Sequence, residues 1–244
     1  MTMRLFVGQP LATGVELSLP PGPARHAQVR RVQPGDTVTL FDGSGSDWPA
    51  TVIAVGRSEV RVRLGDAVAV AHELSHPVTL ALGMPANERM DWLVEKATEL
   101  GVTRLQPLLT ERSVLRLAGE RSERKREHWQ AVAEAACEQC GRARVPVIEP
   151  VRTLDEWLPL APAGLRLLLS LHPVARALPG LARTLAPGMA VCSLSGPEGG
   201  LTAAEEQAAL AAGFTAAGLG PRVLRAETAP LALLSWLALQ EDRP

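Results

Sequence analysis

Three segments of this 244-residue chain carry the residue types that ligand chemistry needs. They are Leu171-His172-Pro173, Ser195-Gly196-Pro197-Glu198-Gly199-Gly200, and Leu219-Gly220-Pro221-Arg222-Val223-Leu224-Arg225-Ala226-Glu227-Thr228. The second follows an apolar run and precedes a helix whose start is marked by Thr202 and Glu205, spaced as a capping box. Its glycines leave N–H and C=O groups bare, so a flat ligand can approach the main chain closely. The loop is not a G-x-G-x-x-G fingerprint, no acidic residue follows at dinucleotide spacing, and no Gly-Lys-Ser/Thr is present. A nucleoside without a phosphate chain therefore fits better than a dinucleotide or a nucleoside triphosphate, although such a loop is equally readable as a tight turn. In the third segment Val223 and Leu224 lie between charges, which predicts a buried passage whose charges need partners. Thr228 is expected to cap the last helix, with Pro230 in its first turn; a solvated, well-capped connection is the alternative.

The elements around these segments place them together. From Val78 onward, strands alternate with helices. Val78–Gly83 is an apolar run, and Asn87–Leu100 is an amphipathic helix that Asn87 can cap and Gly101 ends. Thr103–Leu109 is a strand, Arg121–Cys140 a long helix, Val145–Ile148 a strand, and Leu154–Leu158 a short helix. Leu165–Leu171 and Ala190–Leu194 read as strands covered on both faces. Thr202–Ala212 is helical, Ala216–Leu219 is a strand, and Ala229–Gln240 is the closing helix. Such alternation predicts an α/β domain with a mostly parallel sheet, and ligands in open α/β sheets bind beyond the carboxyl ends of the strands. The first 75 or so residues instead show short β-rich runs, Arg4–Val7, Thr37–Phe41, Ala50–Val55 and Glu59–Leu64, separated by turn residues. They predict a small all-β barrel over 1–76, with the α/β domain over 77–244.

Composition narrows the class. With 46% hydrophobic residues and no apolar run of membrane length, no span is expected, and the opening residues lack a signal-peptide layout, which places the protein in the cytoplasm. Cys137, Cys140 and Cys192 are too few for a disulfide framework, and the C-x-x-C falls in a helical stretch with no second metal-ligand pair, so no metal is expected. The five histidines, with no carboxylate cluster beside them, give no support to a metal-dependent hydrolase. Net charge is −1, which offers no bulk argument for a nucleic-acid partner. All cationic side chains except Lys96 and Lys125 are arginine, a residue suited to bidentate phosphate and base contacts but also favoured by a GC-rich genome.

Taken in order, Ser195-Gly-Pro-Glu-Gly-Gly-Leu-Thr, Glu205, Gly213-Phe214 and Leu219 through Ala229 resemble the ribosomal RNA small-subunit methyltransferase E family of the SPOUT class. So do Arg4-Leu5-Phe6-Val7, His26 with Val29–Val32, Glu95–Val102, Thr110-Glu111-Arg112-Ser113, and Glu134-Ala135 through Gln139 to Arg142. The likeness spans nearly the whole chain, with a departure at Ala190–Leu194, where the family more often has a bulkier strand. It implies a trefoil-knotted SPOUT α/β domain after a PUA-like barrel, a homodimer, S-adenosyl-L-methionine (SAM) as methyl donor, and a uridine of 16S ribosomal RNA in the small subunit as substrate, methylated at N3. The implied cofactor site comprises Leu171, His172, Ser195, Gly196, Gly199, Leu219, Gly220, Val223, Leu224, Arg225, Glu227 and Thr228, with the main chain of Leu171, Gly196, Leu219 and Leu224 around the adenine.

For the chemistry itself, Arg112 is the candidate for contact with the uracil anion or a phosphate, and Glu95, Lys96 or Glu138 for handling the N3 proton. Arg225 and Glu227 are expected either to act there or to pair with each other. RNA contacts are expected from Arg4, Arg25, His26, Arg30 and Arg31 in the barrel and from Arg142. A second patch, Arg116, Arg121, Arg124 and Arg126, is diluted by Glu120, Glu123 and Glu127. Two other readings stay open at this point: ribose 2′-O methylation by the same fold, and a non-catalytic RNA-binding assembly factor.

Overall fold

The computed structural model describes residues 2–172, 174–183 and 185–240. It divides into two compact units, Met1–Glu73 with Glu134–Val145, and Leu74–Ala133 with Pro146–Pro244. The first is built on strands β1 (Arg4–Phe6), β2 (Glu16–Ser18), β3 (Thr37–Phe41), β4 (Ser46–Val55), β5 (Val60–Leu64) and β6 (Val68–Ala69), with helix α1 (Pro21–Val29). The sheet order is β1-β3-β4-β5-β2, with β6 beside β4; β1 and β3 are parallel and the other pairs antiparallel. Strand β5 shows why the period-2 pattern folds this way. Val60, Val62 and Leu64 are buried, while Arg61 and Arg63 face out toward Glu16 across the β2–β5 pair. Each fully buried large aliphatic side chain contributes roughly 1.5–3 kcal/mol, whereas those exposed ion pairs add little.

Helix α1 corrects the expectation of an all-β first segment. Pro21-Gly22-Pro23 reads as a turn, yet prolines at the start of a helix cost nothing, because the N–H groups they lack have no partner there. What holds the helix is tertiary: Ala24 and Ala27 are buried against the sheet's core, which includes Leu5, Leu40, Val52 and Val62. Arg30 closes the helix, and Arg31 follows in the left-handed region at φ 57°. The same unit takes in the last residues of α3 (Gly119–Cys140), where Cys137 packs with Ala143 against Phe41 and Phe6. Burial pushes the Cys137 thiol up to about 12, so it stays a protonated, inert packing group in this helix.

The second unit contains β7 (Val78–Gly83), α2 (Asn87–Glu99), β8 (Arg104–Leu109), most of α3, β9 (Val147–Ile148), β10 (Arg152–Thr153), α4 (Leu154–Trp157), β11 (Leu165–Leu169), β12 (Arg176–Ala177), α5 (Leu178–Ala182), β13 (Val191–Ser195), α6 (Ala203–Ala211), β14 (Thr215–Gly218) and α7 (Thr228–Ala238). All of its strand pairs are parallel, in the order β10-β8-β7-β13-β11-β14-β12, with β9 beside β8. Strands β7 and β13 are buried throughout, as expected where helices cover both faces. One face sets Ala81, Leu108, Leu168, Cys192 and Leu194 against Leu154 and Trp157 of α4 and Ala209 of α6. No described helix is long and apolar enough to cross a membrane.

Two helix starts differ from expectation. Helix α2 is entered through Ala86, with Asn87 as its first helical residue; the Asn87 side chain lies outside the described residues. Helix α7 is entered through Glu227 in a helical conformation, so Thr228 is already in the first turn and caps nothing. The turn over 225–229 explains this, since the Arg225 carbonyl accepts from the N–H groups of both Thr228 and Ala229 (2.9 and 3.1 Å).

Candidate active site

Strand order locates the site. β11 lies between β13 and β14, and the chain passes from β11 to the edge strand β12 before it returns to β13 on one side and then β14 on the other. Such a switch point opens a crevice at the carboxyl ends of the strands. A cleft of about 570 Å³ lies there, lined by Leu169, Ser170 and Leu171 after β11, Ser195 through Gly200 after β13, and Ala217, Leu219, Gly220 and Arg222 through Ala226 around and after β14. That volume suits a small organic ligand.

The loop after β13 is held from three sides. Pro197 packs on Gly83 at the end of β7 so closely that a Cβ there would lie 2.4 Å from the proline Cδ. Glu198 accepts hydrogen bonds from the Ala86 N–H (3.0 Å) and Arg89 (3.2 Å) at the start of α2. Arg112 donates to the carbonyls of Gly199 (2.9 Å) and Leu201 (3.3 Å). Arg112 is presented by a turn in which the Ser113 hydroxyl accepts from the Thr110 N–H (3.0 Å). The expected capping box is present: Thr202 Oγ1 accepts from the Glu205 N–H, and Glu205 accepts from the Thr202 N–H (3.3 and 2.8 Å). Such a cap contributes about 1 kcal/mol to the helix it starts.

Residues 72–238 match the family model for an RNA methyltransferase domain, and residues 24–65 that for an RNA methyltransferase PUA domain. A ribosomal RNA small subunit methyltransferase E of Synechocystis sp. is 33% identical over 97% of this chain and 77% of its own length. The Bacillus subtilis protein of that name is 29% identical over 88% and 86%. The chain belongs to the ribosomal RNA small subunit methyltransferase E family. The crystal structure of such an enzyme from Neisseria gonorrhoeae, bound to S-adenosyl methionine, is 35% identical and superposes with a TM-score of 0.90 over 98% of both chains.

Of the twelve positions the resemblance assigns to the cofactor, nine line the cleft: Leu171, Ser195, Gly196, Gly199, Leu219, Gly220, Val223, Leu224 and Arg225. His172, Glu227 and Thr228 do not line it, and Pro173 lies outside the described residues. The expected buried passage at Val223-Leu224 is corrected, since Val223 is 78% exposed and Leu224 half-buried. Glu227 is the buried member of that segment, and its facing cation is Arg89 at 3.9 Å rather than Arg225.

Sequence reasoning missed Arg89, which lines the cleft and bridges Glu198 and Glu227. The available signal was position, since the first turn of the helix after a central strand faces the ligand edge. Lys96 donates to Glu95 and Glu99 (both 2.7 Å), and these bonds raise it to about 12; it is held as a cation, unsuited to accepting a proton. Glu95 and Lys96 sit on α2 outside the cleft lining, and Glu138 belongs to the first unit, where it accepts from the Phe6 N–H (2.9 Å) with His26 3.7 Å away. Of the arginines assigned to RNA, Arg4 and Arg142 are tied into the first unit by Asp47 and Glu73, while Arg25, Arg30 and Arg31 are exposed, as is His26.

Proposed function

We propose that the chain transfers a methyl group from SAM to N3 of a uridine in the 16S RNA of the small ribosomal subunit. The observation that carries this reading is the convergence of the loops after β11, β13 and β14 on one cleft in a chain of this family. The residues present suit a nucleoside with a sulfonium side chain. A Cβ at Gly196 would fall 2.6 Å from the Gly200 carbonyl carbon, so the loop is folded as tightly as bare backbone allows. Ser195, 4% exposed and lining the cleft, has a hydroxyl with no partner among the described residues. Main-chain groups of Leu171, Gly196, Leu219 and Leu224 would then bracket a neutral ring, with Ser195 supplying a further hydrogen bond.

When bound, SAM supplies an already electrophilic methyl group, so the protein's work is alignment and proton handling. Arg112, held against Gly199, shapes the loop and sets a cation beside it, suited to stabilising a uracil anion. Glu95 and Glu138 stay as candidates for the N3 proton, and Lys96 for charge stabilisation. Apolar side chains left uncovered beside the cleft, Leu171 (68% exposed) and Val223 (78%), support a homodimer in which a second protomer covers this rim. The strand order, with β12 reaching the sheet edge past β14, supports the trefoil knot. A cytoplasmic place follows from a ribosomal substrate.

The test is transfer of labelled methyl from SAM to small subunits lacking the modification, with naked 16S RNA alongside and mass spectrometry of the digested nucleosides. Label on the uracil base at N3 is expected; label on ribose, or no affinity for SAM, overturns the reading. Arg112→Ala is expected to lower turnover on subunits by at least about tenfold, the worth of one or two lost hydrogen bonds to the loop. Unchanged turnover in a normally folded variant removes Arg112 from the site.

A further inference from the structure

The first half of α3 is densely charged, and the structure sorts its charges by face. Arg126 is taken up by Glu123, three residues earlier on the same helix. Arg121, Arg124, Lys125 and His128 follow the i, i+3, i+4, i+7 spacing of a single helix face, and these four side chains alone line one shallow surface hollow. Arg121 and Lys125 have no carboxylate within ion-pair distance among the described residues. Among the described residues Arg124 meets only Glu120, at 3.5 Å, with both side chains largely in water, a pair too screened to hold it. His128 is anchored by Asp91 at 2.8 Å, which also accepts from Trp129 Nε1 (3.0 Å). Glu127 is the remaining acid in this stretch, next to Arg126, which feels its charge. In a chain of net charge −1, a concavity lined only by basic side chains is a local feature rather than a reflection of bulk composition.

Connectivity puts this face at the working end of the sheet. β8 runs to the carboxyl edge, Arg112 just after it touches the loop of the cleft, and α3 begins at Gly119. Arg121 and Arg124 therefore lie in the helix turns closest to that edge. From this juxtaposition we infer that the Arg121/Arg124/Lys125/His128 face of α3 binds phosphates of the substrate RNA, as a second grip on the methyltransferase unit. This rests on the proposal that ribosomal RNA is the substrate.

The test compares the intact protein with Arg121→Gln/Arg124→Gln/Lys125→Gln, glutamine being a good helix former. Affinity for naked 16S RNA is measured at several salt concentrations, together with methyl transfer to small subunits and SAM affinity. The triple variant is expected to flatten the slope of log affinity against log salt by about 2, the counterions of three phosphate contacts on single-stranded RNA. Its KM for subunits rises about tenfold, with kcat and SAM affinity kept. Arg126→Gln, the same charge removed from the paired face, behaves as the intact protein. Should the triple variant fold poorly, Lys125→Gln alone is expected to flatten the slope by about 0.7. An unchanged slope overturns the inference, and if affinity falls only for subunits, the face meets a ribosomal protein instead. Intact protein that takes up SAM but binds no RNA overturns both this inference and the substrate reading, whereas intact protein that methylates RNA beside an unaltered triple variant overturns this inference alone.

Discussion

Gly196→Ala is expected to weaken SAM binding by about 10- to 100-fold, measured by calorimetry, while the protein still folds. The added Cβ would sit 2.6 Å from the Gly200 carbonyl carbon and 2.7 Å from the Leu201 nitrogen, both backbone atoms that no rotamer change can move aside. Overpacking of this kind costs about 1–3 kcal/mol, which converts to roughly 5- to 150-fold if the loop relieves it by leaving its ligand-ready shape. Gly83→Ala presses on the same loop from β7, through Pro197 at 2.4 Å, so the two substitutions should be less than additive. Gly22→Ala is the control, because a Cβ there meets nothing within 4 Å; SAM affinity should not change, and stability should hold or rise slightly. Equal SAM affinity in Gly196→Ala and the intact protein would mean that the loop after β13 is not where the cofactor sits.

What the sequence reveals about this site is what is local. The loop 195–200, the Thr202–Glu205 box and the apolar runs of β7, β11 and β13 are contiguous stretches whose composition states their conformation. Helix α1 is not legible, because Pro21-Gly22-Pro23 reads as a turn until Ala24 and Ala27 are seen to bury against distant strands. Two-residue strands such as β9, β10 and β12 are too short to carry a period, and their pairing is set by the crossovers around them. Val223 lies between arginines, where burial and exposure write the same sequence; it is the fold that leaves it in solvent. Arg89 and Glu227 stand 138 positions apart in the chain, and only the α2–α7 packing makes them a pair. Residues 134–145 read as the end of one helix and a turn, and nothing in them announces that they pack with the N-terminal strands.

Arg142→Ala is expected to cost about 2–4 kcal/mol of stability while leaving the salt dependence of RNA binding unchanged below the unfolding temperature. The residue is 3% exposed. Its guanidinium pairs in a fork with Glu73, Nε to Oε1 at 3.2 Å and Nη2 to Oε2, and its carbonyl accepts from Arg4 Nη2 at 3.0 Å. Arg4 in turn pairs with Asp47 and lies 4.8 Å from the centre of the Phe41 ring. Removing Arg142 leaves the Glu73 carboxylate without that partner and opens a void beside the group that orients Arg4. The Glu73 side chain is a quarter exposed, so water recovers part of the loss, which is why the expected cost falls below that of a fully buried pair. Arg142→Lys, which keeps the charge but not the fork, should fall between. Arg30→Ala on the exposed end of α1 gives the opposite pattern, stability unchanged and the salt slope flatter by about 0.7. If Arg142→Ala instead behaves like Arg30→Ala, the fork with Glu73 must open when RNA arrives, and the guanidinium belongs to the RNA-binding surface after all.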